Sequence, residues 1–163
     1  MTHEPRLARE LRQLLQRQRV AALGTLDDAG DPFVSMVPFA IEAAEGLLVL
    51  HVSALAAHTA HLAPRPRVSL LVMQAEVPGE PVHELPRVTL LGECSFPPPQ
   101  EPLWQACRAA YLQRFPEAEP MTQLADFRFA AIAPREARHI AGFGRARSVD
   151  VEALREALRG SAD

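Results

Sequence analysis

The chain contains no lysine and no asparagine, and all 17 of its basic residues are arginine. The lack of lysine excludes an enzyme that holds pyridoxal phosphate as a Schiff base, because that linkage needs a lysine amine. It also excludes a Walker-type phosphate loop, whose lysine contacts the nucleotide phosphates. The formal net charge of −3 gives no electrostatic reason to expect a nucleic-acid partner.

Cysteine and long apolar runs are also scarce. Cys94 and Cys107 are the two cysteines and form no CxxC motif, so we expect two reduced thiols rather than a disulfide or a zinc knuckle. No apolar run approaches the ~20 residues that cross a bilayer, and the N-terminus lacks the apolar core of a signal peptide. These absences predict a cytoplasmic protein without a membrane partner, and 163 residues with 48% hydrophobic content predict one domain, 1–163.

Hydrophobic periodicity predicts a mainly β, α+β chain. A helix is expected at each end, at residues 5–18 of the N-terminal segment 1–18 and at residues 149–159 of the C-terminal segment 149–163. Two more helices are expected at residues 55–62 and 103–114. Pro38 lies inside a predicted strand and indicates a sheet edge or a bulge there. Many short strands with few helices predict an antiparallel barrel of six to seven strands with flanking helices. The predicted strands are residues 19–26, 33–41, 46–51, 67–73, 87–96, 127–133 and 137–143.

The segment VSALAAHTAHLAPRPRVSLLV, residues 52–72, is the strongest candidate for a binding site. It places Ser53, His58, Thr59 and His61 at or near the start of a short helix that follows a strand. Unpaired N–H groups and partial positive charge make such a place suited to a phosphate or a carboxylate. Ser53 either caps the helix alone or caps it and also contacts a ligand.

Two further segments are candidates, and neither supplies a nucleophile motif. Residues 35–39, SMVPF, either offer backbone groups to a flat heterocycle or belong to the core. The Gly142–Arg145 loop is either a plain turn or a glycine-permitted backbone approach with Arg145 aimed at an anion. No GxSxG, GxGxxG or HExxH motif is present, so catalytic residues stay unassigned, no metal site is predicted, and we expect a cofactor to carry the chemistry.

Several segments in one order carry a family resemblance: VAALGTLDDAGDPFVSMVPFAIE, VSALAAHTAHLAPRPRVSLLV, RVTLLGEC, AYLQRFPEAE with ADFRFAAIAP, and ARHIAGFGRARSVD. The chain resembles the split-barrel proteins that bind flavin mononucleotide (FMN), the superfamily of pyridoxamine 5′-phosphate oxidase. Within this superfamily it is most similar to the haem-iron-utilisation branch. The resemblance implies a split barrel that forms a homodimer, with the cofactor site at the subunit interface.

The resemblance also implies positions for the cofactor. The strand along the flavin ring corresponds to Ser35, Met36, Val37 and Pro38, and the phosphate turn to Val52, Ser53, His58 and Thr59. Arg87 corresponds to the strand position at the flavin edge, and Phe143, Gly144 and Arg145 to the loop that completes the pocket. Ala57 and His58 stand where the oxidases have an Arg–Lys pair, and Ser35 and Ala40 stand where they have basic residues, so true pyridoxamine phosphate oxidase activity is not expected.

Three functions follow as hypotheses. The first is an FMN-dependent oxidoreductase that acts on an unidentified small molecule. The second is a haem-binding or haem-degrading protein of iron utilisation. Haem-degrading relatives typically use a histidine of the C-terminal tail, and residues 147–163 contain none, so the ligand would be one of four others: His51, His58, His61 or His139. The third is a dimeric binding module without a cofactor.

Overall fold

Eight strands and four α-helices make up the chain in the computed structural model, which describes residues 4–160. Residues 1–3 and 161–163 of the predicted single domain lie outside the described residues. The helices are α1 (Arg6–Arg17), α2 (Ala57–Leu62), α3 (Pro102–Arg114) and α4 (Val151–Arg159), with 3₁₀ helices at Val82–Glu84 and Pro116–Gln123. The strands are β1 (Val20–Leu26), β2 (Pro32–Pro38), β3 (Ala40–Glu42), β4 (Leu47–Ser53), β5 (Arg67–Met73), β6 (Arg87–Ser95), β7 (Phe127–Ile140) and β8 (Ala146–Val149).

The strands form one antiparallel sheet in the order β2-β1-β5-β6-β7-β4-β3, and β8 pairs with the far part of β7. The two end strands, β2 and β3, are consecutive in the chain and are separated by Phe39 alone. A flat sheet would hold its ends six strands apart, so this sheet must curl until they meet. The prediction of an antiparallel split barrel with flanking helices is therefore confirmed, and Pro38 lies at the edge, as predicted.

The barrel interior is filled by alternate residues of the strands and closed by helices. β5 shows the pattern most plainly: Val68, Leu70 and Val72 are buried, and the residues between them are not. The leucine face of α1 joins this interior core through Leu11, Leu14 and Leu15. A second core lies outside the barrel wall, where α3 packs on β3, β4 and β7; it contains Val49, Cys107, Tyr111, Phe115 and Phe129.

Several predicted boundaries are wrong for identifiable reasons. The predicted strand 33–41 is divided at Phe39, where the sheet ends meet, and the predicted strands 127–133 and 137–143 are one strand, β7. β7 continues through Pro134 because a bulge lies there, opposite Leu91 and Gly92, so the missing proline N–H interrupts no regular ladder. β8 was not predicted, and α4 begins at Val151 rather than Val149 because Val149 ends β8.

None of the helices in the described part of the chain is both long enough and apolar enough to cross a membrane.

Candidate functional site

Helix α2 is attached to the β1–β2 hairpin by two histidines. Ser35 Oγ of β2 and His58 Nδ1 are hydrogen-bonded at 3.0 Å, and Thr25 Oγ1 of β1 and His61 Nδ1 at 2.9 Å. The Phe33 ring meets the His61 ring edge-on, with 5.3 Å between the centroids. The spacing of His58 and His61, three residues apart on a helix, directs both rings to the same side. Each ring is therefore fixed at one nitrogen.

The turn before α2 is shaped by Ser53 and Thr59. The Leu55 N–H donates to Ser53 Oγ at 3.1 Å, and the buried Thr59 hydroxyl donates to the Ser53 carbonyl at 2.6 Å. The N-cap residue of α2 is Ala56, which has no capping side chain, so the predicted capping role of Ser53 is wrong. Ser53 lies outside the helix, and its hydroxyl also donates to Asp126 Oδ2 at 3.4 Å.

The state of the His58 ring suits a ligand role. Burial lowers the pKa of His58 below 6.5, and the neighbouring His61 lowers it further, so the ring is neutral at neutral pH. When Nδ1 carries the proton it donates to Ser35 Oγ, and the lone pair of Nε2 is left available. This is the arrangement by which a metal-bound imidazole is oriented through its second nitrogen. Within the described part of the chain, Nε2 of His58 has no hydrogen-bond partner.

Large apolar side chains lie exposed on β2 and in the turn before α2. Met36 is 68% exposed and Val34 67%, both on the outer face of edge strand β2, and Leu55 before α2 is 90% exposed. Val37 and Val52, by contrast, point into the barrel core, so only their backbone groups remain for a ligand. Exposed apolar groups in this number indicate a surface that a ligand or another chain covers.

The other predicted site residues lie at the opposite end of the strands. Arg87 pairs with Met73 and with Ile140, after which the Phe143–Arg145 loop begins. Followed across the sheet from strand to strand, the position of Arg87 lies beside the Val20 end of β1. Helix α2 contacts the other end of β1, at Thr25. One chain therefore does not bring Arg87 and the late loop to the His58 cluster.

In the late loop, Phe143 is 80% exposed, and the arginines at this end are already engaged within the chain. Arg145 pairs with Glu10 at 3.2 Å and donates to the Ala141 carbonyl at 2.6 Å. Arg87 donates to the Leu85 carbonyl at 2.9 Å. Gly144 has φ +70, a left-handed conformation that allows the sharp turn beside Phe143.

Of the other candidate ligands, His51 packs against aromatic rings and His139 is buried. His51 of β4 is stacked between the rings of Phe127 and Phe129, with centroids 4.9 and 4.6 Å away. His139 is 1% exposed. Sequence reasoning missed Thr25, whose hydroxyl holds His61. Its one signal is that Thr25 follows Ala21 and Leu23 at two-residue spacing and therefore shares their buried face. Among residues 4–160, no three His, Cys, Asp or Glu side chains form a group that could hold a metal ion.

Comparison with known proteins finds one family model and relatives that are named for haem. The family model described as pyridoxamine 5′-phosphate oxidase matches residues 7–141. The haem oxygenase HutZ of Vibrio cholerae is 30% identical over 150 residues, which cover 91% of this chain and 84% of HutZ. A chloroplastic haem oxygenase of Arabidopsis thaliana, HOZ, is 34% identical over 147 residues, which cover 86% of this chain and 43% of HOZ.

A solved structure gives the same association. The haem-binding protein from Mycobacterium smegmatis superposes with a TM-score of 0.83 at 30% identity, over 94% of this chain and 62% of that one. The chain thus spans most of HutZ but less than two thirds of HOZ and of the mycobacterial protein.

Proposed function

The chain belongs to the pyridoxamine 5′-phosphate oxidase family, and from this premise we propose that it binds haem and takes part in haem breakdown. The observation that carries the proposal is the similarity to HutZ, a haem oxygenase, along 91% of the chain. The relatives thus favour the haem alternative of the sequence analysis over its first hypothesis, an FMN-dependent oxidoreductase. FMN has support from the family in general and from none of the named relatives.

His58 is the proposed iron ligand. It combines a neutral ring, a hydroxyl partner at Nδ1 and an unpaired Nε2. His61 has a hydroxyl partner too, but the Phe33 ring also packs against it. Bound haem supplies an iron at which oxygen is activated. The protein's part would be to hold the imidazole ring of His58 through Ser35 and to cover the porphyrin with apolar side chains such as Leu55, which precedes α2.

We propose, further, that the site is completed by a second copy of the chain. Val34 and Met36 are exposed on the outer face of the sheet. The residues that pair across the neighbouring strands from Val34 are Gly24, then Ser69, then the exposed Leu91. An uncovered apolar strip of this kind is typical of an interface. Pairing of two copies would allow the Arg87 and Phe143 end of one to approach the His58 cluster of the other, as the resemblance implies.

Haem titration tests the proposed ligand. We expect the wild-type protein to produce a Soret shift that saturates at one haem per chain. His58→Ala should weaken binding at least about tenfold, since a buried coordinate bond is lost. His83→Ala is the matched control, because His83 is exposed and no side-chain contact is assigned to it. Equal affinity in wild type and His58→Ala would refute the ligand assignment.

Turnover and flavin uptake test the wider proposal. With a reductant, oxygen and catalase present, the Soret band of the haem complex should decay and a ferrous chelator should trap iron. Retention of FMN through gel filtration, with no Soret shift on addition of haem, would favour the FMN-dependent oxidoreductase hypothesis instead. Uptake of neither cofactor would support the cofactor-free module instead.

The dimer is tested by placing a charge on its proposed face. Met36→Glu should halve the mass measured by light scattering and should also weaken haem binding, because a carboxylate cannot be buried unpaired. Met121→Glu makes the same chemical change at a residue that is 40% exposed and lies in the 3₁₀ helix Pro116–Gln123. A wild-type protein that is monomeric at micromolar concentration would contradict the proposal.

A further inference from the structure

His139 is a buried titratable residue that the proposed haem site does not use. It lies near the end of β7, is 1% exposed, and its Nδ1 has no hydrogen-bond partner in the described part of the chain. Buried polar atoms in native proteins nearly always have a partner, because leaving one unpaired costs stability. Keeping a histidine at this position therefore calls for an explanation.

The His139 ring lines an open groove at the end of the barrel. The groove measures about 480 Å³ and lies between α1 and the loop that joins β7 to β8. Its other polar walls include Gln13 and Arg17 of α1, Gln74 after β5, and Arg145. A polar groove of this size has room for a small ligand together with water.

The charge of the groove is positive. Arg17 and Arg145 line it and Arg147 lies close to His139, whereas Glu10 is the one acidic residue among its lining residues. Glu10 is already paired with Arg145 at 3.2 Å. Arg17 forms no hydrogen bond or ion pair within residues 4–160, so its guanidinium is available to a ligand.

We propose that this groove binds a small oxyanion, a carboxylate or phosphate group, through the Nε2–H of His139 and the guanidinium of Arg17, while Nδ1, which is sealed from solvent, remains the unpaired acceptor of the ring. A neutral imidazole donates one N–H, and the charged fork of an arginine donates to two oxygens of the same anion. Gln13 and Gln74 supply amide N–H donors on either side. This site goes beyond the proposed haem function and does not depend on it.

The pKa of His139 is the quantity that should change when an anion binds in the groove. Burial is the main cause that lowers the pKa of His139 to about 4; Arg147 and Arg145 lower it further, and Glu10 raises it. Arg17, on α1, is the remaining charged residue that faces the groove. An anion bound at the ring stabilises the protonated form, so binding should raise this pKa, and by linkage lower pH should tighten binding.

The experiment is a titration of the full chain with phosphate and, separately, with succinate. The His139 ring resonances are followed by NMR at constant ionic strength, which keeps the screening of charges the same throughout. We expect a saturable shift with one anion per chain and a rise in the pKa of His139 at saturation. A linear response to both anions, without saturation, would overturn the proposal.

Two variants make the test specific. Arg17→Gln should weaken anion binding about tenfold, since a charge-assisted hydrogen bond is lost. Arg9→Gln is the matched control, because Arg9 is an exposed arginine of the same helix that does not line the groove. By calorimetry, His139→Leu should abolish binding. Unchanged affinity in Arg17→Gln, or in folded His139→Leu, would refute the site.

Discussion

Acid should destabilise this protein through His139. The pKa of His139 is about 4 in the folded chain against 6.5 as the ordinary value, so in this range only the unfolded chain takes up a proton there. The contribution of His139 is therefore complete above pH 6.5 and is lost as the pH falls towards 4. At 1.36 kcal/mol per pH unit, the free energy of unfolding loses about 3 kcal/mol in all and about 2 kcal/mol by pH 5.

Urea unfolding at pH 7.5 and at pH 5, in phosphate-free buffer, measures this loss. His139→Leu is the comparison, because leucine is buried without taking up a proton. Burial also lowers the pKa of His51 and of His58, and both act in the same direction, so only the difference between wild type and variant isolates His139. Wild type should lose about 2 kcal/mol more than His139→Leu. Equal losses in the two proteins would refute the reasoning.

Two further predictions concern packing. Arg114→Met should lower the free energy of unfolding by about 2–4 kcal/mol, because the guanidinium donates to carbonyls at the end of α1 and lies 4.8 Å from the Phe39 ring centroid. Arg114→Lys should lower the free energy of unfolding by less than Arg114→Met does. Thermal melts of both variants that match wild type would contradict a stabilising role of the Arg114 guanidinium. Gly92→Ala should cost about 1–3 kcal/mol, since the added methyl would lie 2.7 Å from Ile132 Cγ2. An unchanged urea midpoint for Gly92→Ala would contradict this prediction, because it would show that Ile132 moves aside for the added methyl group.

The elements with strong local signals could be predicted from the sequence. The strand predicted at residues 67–73 agrees with β5 at both ends, because Val68, Leu70 and Val72 recur at two-residue spacing and prolines precede it. The N-terminal helix was expected at residues 5–18 and is observed at Arg6–Arg17, because leucines repeat at helical spacing.

The elements whose signal is not local were misassigned. Residues 127–133 and 137–143 were predicted as two strands, yet they form one strand, β7, which passes Pro134 by a bulge opposite β6. β8 has only four residues and exists because β7 is long enough to pair with it. In both cases the deciding contact lies on another strand.

Most residues of the candidate site could be predicted from the sequence, but the contacts between them could not. His58, Ser53 and Thr59 were identified from one segment and from the family resemblance. The contact between His58 and Ser35 joins residues 23 positions apart, and the contact between Thr25 and His61 joins residues 36 positions apart. Neither follows from spacing along the chain, because both depend on where α2 packs against the hairpin.

The amino-acid sequence alone determined which chemistries are excluded by the missing lysine, which strands alternate, and to which superfamily the chain is similar. Tertiary structure decided how each histidine is buried and which of its nitrogens are already hydrogen-bonded. His51 is enclosed by aromatic rings, His139 is buried beside a polar groove, and His58 keeps one free nitrogen. The physical reason is that burial and hydrogen-bond partners arise from contacts between distant segments, whereas composition and periodicity are properties of neighbouring residues.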